Sequence, residues 1–343
     1  MSANEQMFLQ FIRQKLGSGE KVPLSREGIL RGGSDRTFFR YRTEDRSCVL
    51  MHYGRERQEN ALYVEIGLFL KDIGIRVPRI IAHDPDLRLV LMEDLGQRDL
   101  WSLRNEPWTI REAHYSDALT MAARLHAFPL KDFPRGSVRH MPAFGPELYE
   151  WERNYFREQF VQDVCNLSLK PALASALERE LAALAERLMQ ISSCLIHRDL
   201  QSQNVMILDG ETVWIDFQAM RPGCPFYDVA SLLYDPYVCF TEEERLHLLR
   251  HYAARVSHGL QWPELVLRFR EAAVQRLMQA LGAYGFLGLK QGKRFFLSHI
   301  PRGVAHLVEA AALSADLPCL QELIGRCRHA LPSSCLIFPS ESA

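Results

Sequence analysis

Residues 196–207, IHRDLQSQNVMI, and residues 213–218, VWIDFQ, are the stretch that decides how this chain folds. They contain two carboxylates, Asp199 and Asp216, and an asparagine, Asn204. Phosphoryl transfer needs one carboxylate at the attacking hydroxyl, and a neutral oxygen and a second carboxylate to hold Mg²⁺. These three residues supply those groups in the order and at the spacing of a kinase catalytic loop.

The residues around the candidate metal ligands predict a β-hairpin. Val205 to Leu208 and Thr212 to Phe217 have strand-like composition, and Asp209-Gly210 between them is a turn signal. The turn folds the second strand back on the first, so we expect Asp216 to lie near Asn204 around one metal ion. A chance match, and an inactive relative that keeps the loop, stay open as alternatives.

Two further residues of the same stretch, His197 and Arg198, come directly before Asp199. We expect both to be structural. His197 would brace the loop by hydrogen bonding, and Arg198 would pair with a nearby carboxylate.

The composition is that of an ordinary globular protein. The 343 residues are 47% apolar and 24% charged, which is enough chain for two lobes with a real core. The net charge is −1, so nucleic acid is not an expected partner. No apolar run has membrane-spanning length and residues 1–20 are polar, so we expect neither a membrane partner nor a secretory signal.

The cysteines indicate a compartment. All eight are scattered among apolar residues and form no Cys-x-x-Cys pair, which suits buried thiols in a reducing environment better than disulfides or zinc ligands. We therefore expect a cytoplasmic protein, and a monomer.

The order of elements predicts an α+β, bilobal, protein-kinase-like fold. A small strand-rich N-terminal lobe at residues 1–92 binds nucleotide, residues 93–96 form a connector, and a large, mainly helical lobe at residues 97–343 carries catalysis and binds the acceptor. The predicted strands are 37–43, 47–53 and 87–92, and the predicted helices are 7–16, 56–73, 111–128, 147–160, 175–192, 241–256 and 263–289.

The connector is the expected position of the adenine of ATP. Its backbone groups would make the hydrogen bonds, with Glu93 and Leu95 as the cofactor-binding residues. A solvated loop at Glu93-Asp94 is an equally open interpretation.

The whole chain resembles the aminoglycoside phosphotransferase-like kinase family. Within it, the similarity is greatest to bacterial cell-wall amino-sugar kinases that phosphorylate the anomeric hydroxyl of N-acetylmuramate or N-acetylglucosamine. The stretches that carry the resemblance are 33–40, 77–80, 91–96, the catalytic loop, 215–218, 225–232, 275–282 and 292–297.

The resemblance implies roles for individual residues. Asp199 is the catalytic base, Asn204 and Asp216 hold Mg²⁺, and ATP is the second substrate. Asp228 resembles the aspartate that braces the catalytic loop in this family. Its alternative is an N-cap for the helix that runs to Leu233.

One position departs from the kinase pattern. Kinases place a lysine on the third strand to hold the α- and β-phosphates, and residues 47–53 contain none. Arg36, Arg40 or Arg55 could compensate because a guanidinium grips phosphate oxygens with two bonds, although each could be a plain surface arginine. Ser34, after two glycines, could bring backbone amides to the phosphates.

The acceptor is expected to be a small molecule. Gln218 stands where a protein kinase has glycine, and the chain has neither an Ala-Pro-Glu nor a Val-Ala-Ile-Lys segment. Tyr227 and Asp235 are candidate acceptor contacts, with core packing for Tyr227 and a capping role for Asp235 as alternatives. The other aromatics of this region are predicted to be mostly core residues: Trp151, Tyr155, Phe156, Tyr234 and Tyr237.

These observations predict an ATP- and Mg²⁺-dependent kinase of a small sugar or alcohol, with an amino sugar phosphorylated at its anomeric oxygen as the first choice. One alternative is a kinase of an aminoglycoside or another alcohol. The other is a nucleotide-binding pseudokinase, which the missing lysine favours and the three intact site residues disfavour.

Overall fold

A computed structural model describes residues 3–16, 25–29, 35–44, 46–314, 316–332 and 335. The first part is built on an antiparallel sheet of five strands in the order β1-β2-β3-β5-β4. The strands are β1 (Ser25–Ile29), β2 (Thr37–Arg42), β3 (Ser47–His52), β4 (Ile80–Asp84) and β5 (Leu89–Glu93).

Strand β3 is apolar on both faces because both faces are covered. Successive side chains of a strand point in opposite directions. Cys48 and Leu50 therefore meet helix α1 (Ala3–Leu16), while Val49 and Met51 join the main core. Because both faces of β3 are buried, its sequence is a continuous apolar run.

Helix α2 (Tyr63–Asp72) connects the sheet to the segment that carries Asp216. The sequence predicted one helix from residue 56, but the structure has a 3₁₀ turn at Gln58–Leu62 before α2 begins. Tyr63 stacks on Phe217 with ring centroids 4.6 Å apart. A Cβ at Gly67 would lie 3.1 Å from the Phe217 ring, so a glycine at this position permits the close approach.

The rest of the described chain is mainly helical, as predicted. Helix α8 lies at the centre, buried along most of its length, and packs against α4, α6 and α9. The helices are α3 (Trp108–Ala127), α4 (Pro146–Tyr155), α5 (Pro171–Met189), α6 (Pro225–Leu233), α7 (Glu242–Ala253), α8 (Trp262–Gly285), α9 (Ile300–Ala312) and α10 (Pro318–Ala330). Within the described ranges no helix combines the length and the apolar character that a bilayer crossing requires.

Two helices end differently from the prediction. The predicted helix 147–160 changes at Phe156 into a π-helical segment that runs to Gln162. The predicted helix 263–289 likewise becomes π-helical at Phe286–Lys290.

Helix α6 starts at Pro225, so Asp228 lies within its first turn and the N-cap alternative for Asp228 is wrong.

The predicted hairpin forms from β7 (Val205–Leu208) and β8 (Glu211–Trp214). Asp209 and Gly210 both have positive φ, 51° and 85°, as a tight hairpin turn requires. The second strand was predicted to reach Phe217 but ends at Trp214. A second small sheet pairs β6 (Cys194–Ile196) with β9 (Arg221–Gly223), which places these segments side by side.

Candidate active site

The catalytic loop is fixed by a carboxylate that lies outside it. Asp228 of α6 is fully buried, and its two oxygens accept hydrogen bonds from the backbone N–H groups of His197 at 2.6 Å and Arg198 at 2.8 Å. Arg198 has φ of +78°, a left-handed conformation that a non-glycine residue adopts only when its surroundings impose it. These contacts are those of the bracing role predicted for Asp228.

A second buried carboxylate holds the other end of the loop. Asp235 accepts hydrogen bonds from the backbone N–H groups of Ser202 at 2.7 Å and Tyr237 at 3.0 Å. Burial raises the pKa of Asp235 to about 6, although both hydrogen bonds oppose that rise. Because both oxygens are bonded to backbone, the contacts favour a bracing role over the predicted acceptor contact.

His197 links the catalytic loop to the segment that carries Asp216. Its Nε2 lies 3.0 Å from the carbonyl oxygen of Ile215, and its Nδ1 accepts the backbone N–H of Asp199 at 3.3 Å. In this pattern Nε2 faces the carbonyl oxygen and Nδ1 serves as the acceptor. The contacts match the bracing role expected of His197.

The candidate base is held by an arginine to which sequence analysis gave no role. Arg276 of α8 donates through Nη2 to Asp199 Oδ1 at 2.8 Å. Its Nε donates to Ser231 at 2.8 Å, and its Nη1 bonds Gln279. Burial alone would lower the pKa of Arg276, but the charge of Asp199 raises it. The arrangement holds one carboxylate oxygen of Asp199, Oδ1, in a charge-assisted hydrogen bond.

Hydrogen bonds link Asn204, one predicted metal ligand, to the backbone of the candidate base and to the residue before the other ligand. The Asn204 side chain donates through Nδ2 to the Asp199 carbonyl oxygen at 2.9 Å, and Ile215 N–H donates to the Asn204 carbonyl at 3.0 Å. The first bond uses the amide nitrogen, so Oδ1 remains the acceptor atom of the Asn204 side chain. Asp216 follows Ile215 directly, in a left-handed conformation with φ of 65°.

Asp216 is kept ionised by its neighbours. Its Oδ1 accepts Gln218 Nε2 at 2.8 Å and also bonds Arg36. Burial alone would raise the pKa of Asp216, but the charge of Arg36 and these hydrogen bonds lower it.

The donor set fits Mg²⁺. Mg²⁺ is held by one or two protein oxygens and completes its shell with water and phosphate oxygens. Asn204 Oδ1 and the Asp216 carboxylate are such oxygens. Among the described residues, no group of three or more His, Cys, Asp or Glu side chains forms a metal centre of another type.

The residues that could replace the missing lysine make different contacts in the structure. Arg36 reaches Asp216, the candidate metal ligand. Arg40 is buried and bonds the connector instead, donating from Nε to Asp94 Oδ2 and from Nη2 to the Gly96 carbonyl, both at 2.8 Å. Its contacts therefore favour bracing the connector over gripping phosphate. Arg55 is exposed, and Ser34 lies outside the described residues.

The connector itself joins the sheet to the catalytic hairpin. Glu93 ends β5 and accepts the backbone N–H of Arg79 through its side chain at 3.1 Å. Leu95 is buried against Met206 and Val213 of the hairpin. Leu95 therefore packs the connector onto the hairpin.

The candidate acceptor side lies beyond Asp199. Tyr227 is buried and donates to Glu152 at 2.9 Å, so its contacts favour the core alternative over an acceptor contact. Phe156, Tyr234 and Tyr237 are buried too, as predicted. Trp151 differs: its side chain is 49% exposed and stacks on Tyr155 with ring centroids 4.8 Å apart.

A strand-rich lobe, a short connector and a helical lobe that carries a candidate base and two candidate metal ligands are the arrangement of a kinase-like phosphotransferase. Comparison with known families supports this class. The chain belongs to the phosphotransferase enzyme family, which it matches over residues 25–288.

Curated relatives fall in the same class. An N-acetylmuramate/N-acetylglucosamine kinase from Pseudomonas aeruginosa is 26% identical over 314 residues, which cover 90% of each chain. A protein of the same name from Neisseria meningitidis is 27% identical, covering 84% of this chain and 86% of its own. A methylthioribose kinase from Pectobacterium atrosepticum is 26% identical, covering 74% of this chain and 69% of its own.

Solved structures share the fold. A choline/ethanolamine kinase family protein from Mesorhizobium loti superposes with a TM-score of 0.61 at 15% identity, covering 94% of this chain and 100% of its own. The ADP-bound aminoglycoside phosphotransferase APH(2'')-Ib gives a TM-score of 0.56 at 12% identity, covering 90% and 99%. The protein-kinase-like, bilobal fold predicted from the sequence is confirmed.

Proposed function

We propose that this phosphotransferase transfers the γ-phosphoryl group of ATP to the anomeric hydroxyl of an amino sugar, N-acetylmuramate or N-acetylglucosamine. The observation that carries the proposal is the hydrogen bonding that joins Asn204 to the backbone of Asp199 and to Ile215, the residue directly before Asp216. The full-length similarity to the Pseudomonas aeruginosa kinase supports the acceptor. A place in cell-wall recycling, a cytoplasmic location and a monomeric state go with this proposal.

Asp199 carries the proton chemistry in this mechanism. Arg276 occupies Oδ1, so Oδ2 is the oxygen that accepts the proton of the attacking hydroxyl. Arg276 also holds the carboxylate in one orientation, which keeps the base and the hydroxyl in reacting geometry.

The metal ion and a nearby arginine would offset the charge of the phosphates. Asn204 and Asp216 would hold Mg²⁺, which, when bound, offsets the negative charge that develops on the phosphates. Arg36 already lies against Asp216 and would act on the phosphates in place of the strand lysine. The adenine would bond the backbone at residues 93–96, the connector between lobes at residues 1–92 and 97–343.

The test is an ADP-release screen of the purified protein with ATP and Mg²⁺ against N-acetylmuramate, N-acetylglucosamine, neutral hexoses, aminoglycosides and choline. We expect turnover with the amino sugars, and phosphorus NMR should show an anomeric phosphate ester. Turnover with aminoglycosides or choline alone would replace the proposed acceptor, and ATP binding without any turnover would identify a pseudokinase.

A further inference from the structure

Three arginines interact electrostatically near the candidate base. Arg198, Arg221 and Arg276 act on one another or on the same partners, and the carboxylates that act on them are Asp199, Glu152 and, for Arg221, Glu59. The charges are therefore balanced in number, but the hydrogen-bond donors of the guanidinium groups are not all used. A guanidinium donor without a partner is costly where water is excluded, so unused donors in such a group call for an anionic ligand.

Neither Asp199 nor Glu152 can satisfy all three guanidinium groups. Asp199 is bonded to Arg276 and serves the reaction. Glu152 is fully buried and already accepts hydrogen bonds from Tyr227 at 2.9 Å and Gln275 at 2.9 Å. Burial raises the pKa of Glu152, and the charge of Arg198 only partly offsets that rise.

Arg198 is incompletely satisfied. Its Nη2 lies 3.7 Å from Glu152 Oε1, which is an ion pair but too long for a hydrogen bond. Its Nε is buried and has no hydrogen-bond partner among the described residues. The predicted pairing of Arg198 with a carboxylate is therefore present but leaves donors unused.

Arg221 is the second guanidinium with unused donors. Its Nε donates to the Ala219 carbonyl at 3.1 Å, and within the described chain it forms no salt bridge. Burial and the neighbouring charge of Arg198 together lower the pKa of Arg221 to about 10, and the charges of Glu152 and Glu59 offset this only in part. Two interacting arginines that keep unused donors form a site suited to a carboxylate, which a planar guanidinium binds with two bonds.

We propose that Arg198 and Arg221 bind a carboxylate on the acceptor and so make this enzyme select an acidic amino sugar over a neutral one. The proposal rests on the function proposed above and adds the specificity of the same site. N-acetylmuramate carries such a carboxylate on a lactyl ether, and N-acetylglucosamine is the same sugar without it. Polycationic aminoglycosides are disfavoured by the same charges.

The test uses the ratio of kcat/KM for N-acetylmuramate to that for N-acetylglucosamine. Wild type should prefer N-acetylmuramate at least ~10-fold, because a charge-assisted hydrogen bond contributes about 1.5–3 kcal/mol. Arg221→Gln should lower the ratio at least ~10-fold, mainly through KM for N-acetylmuramate, since the carboxylate lies away from the reacting hydroxyl. Arg221→Lys should restore part of it. The exposed Arg135→Gln is the matched control and should keep the wild-type ratio.

A second measurement needs no variant. Wild type is compared on N-acetylmuramate and on its neutral lactyl amide, and we expect the amide to behave like N-acetylglucosamine. Equal kcat/KM for acid and amide, or an unchanged ratio in folded Arg221→Gln, overturns the inference and leaves the proposed function standing. If wild type phosphorylates no amino sugar, the proposed function fails. Calorimetry of N-acetylmuramate binding then tests the carboxylate site separately. Tight binding to wild type that Arg221→Gln loses supports the carboxylate site, and no binding to wild type overturns it.

Discussion

The connector at residues 93–96 and the catalytic loop at residues 197–204 border the same cleft but are held in different ways. The connector continues a strand of the sheet, and one ion pair, between Arg40 and Asp94, braces it from the neighbouring strands. The catalytic loop has no regular partner. Its backbone N–H groups are held by two buried carboxylates from elsewhere in the chain, Asp228 and Asp235.

This difference between the connector and the catalytic loop predicts which substitutions should lower stability and activity most. Strand pairing survives most side-chain changes, so the connector should tolerate them. A loop that depends on two buried acceptors should lose its geometry when either is removed, because an unpaired buried N–H costs about 1–3 kcal/mol. The predictions below test this contrast.

The largest effect is expected at the candidate metal ligand Asp216, which follows the hairpin after the catalytic loop. Asp216→Asn removes the charged ligand and should lower kcat at least ~10²-fold and weaken the dependence of the rate on Mg²⁺. The measurement is kcat as a function of Mg²⁺ concentration. The matched control is Asp209→Asn, an exposed aspartate with positive φ in the nearby turn, which asparagine tolerates. Equal rates in the two variants would remove Asp216 from the site.

Removal of a loop brace should come next. Asp228→Ala leaves the backbone N–H groups of His197 and Arg198 without their acceptor, so the free energy of unfolding should fall by about 2–6 kcal/mol. The rate should fall with it, since Asp199 is carried by the same backbone. Urea unfolding and kcat measure the two effects. A variant with normal stability and rate would show that Asp228 is dispensable for the loop.

The stability that Asp235 contributes to the catalytic loop should depend on pH. Its pKa is about 6 in the folded protein against an ordinary value of 3.8, so the folded state binds the proton more tightly. The stability that this group contributes is complete below the ordinary value and is lost as pH rises to about 6. The stability of wild type minus that of Asp235→Asn should therefore fall by about 3 kcal/mol between these values. A difference that stays constant with pH in urea unfolding contradicts this account.

The smallest effect is expected at the connector. Arg40→Gln removes the bonds to Asp94 and Gly96, yet the strand pairing around them remains. We expect unfolding to become easier by about 1–2 kcal/mol and KM for ATP to rise only a few-fold. A loss of activity as large as that of Asp228→Ala would end the contrast between the two regions.

Local patterns allowed much of this structure to be predicted. The Asp209-Gly210 turn and the loop motif gave the hairpin, and helical periodicity gave most of the long helices. Strand β1 was missed because SREGI has no apolar alternation, and β9 because Arg-Pro-Gly has the composition of a turn. Helices α9 and α10 were not predicted.

The site could be predicted only where a motif is local. Arg276 lies far along the chain from Asp199, and its role depends on tertiary packing. A signal existed, since Gln275, Arg276 and Gln279 are polar residues in the C-terminal half of α8, which is otherwise mostly apolar. For Asp235 the sequence left an acceptor contact and a capping role open, because sequence does not reveal where a side chain points once the loops have packed.

The most direct test of the central claim follows the reaction by phosphorus NMR, with saturating ATP, Mg²⁺ and amino sugar, in wild type and Asp199→Asn. ATP affinity is measured by calorimetry on both proteins. We predict that wild type forms ADP and a sugar phosphate, while Asp199→Asn is slower by about 10²–10⁴-fold and binds ATP as wild type does. Wild-type turnover by Asp199→Asn would contradict the assignment of Asp199 as the base.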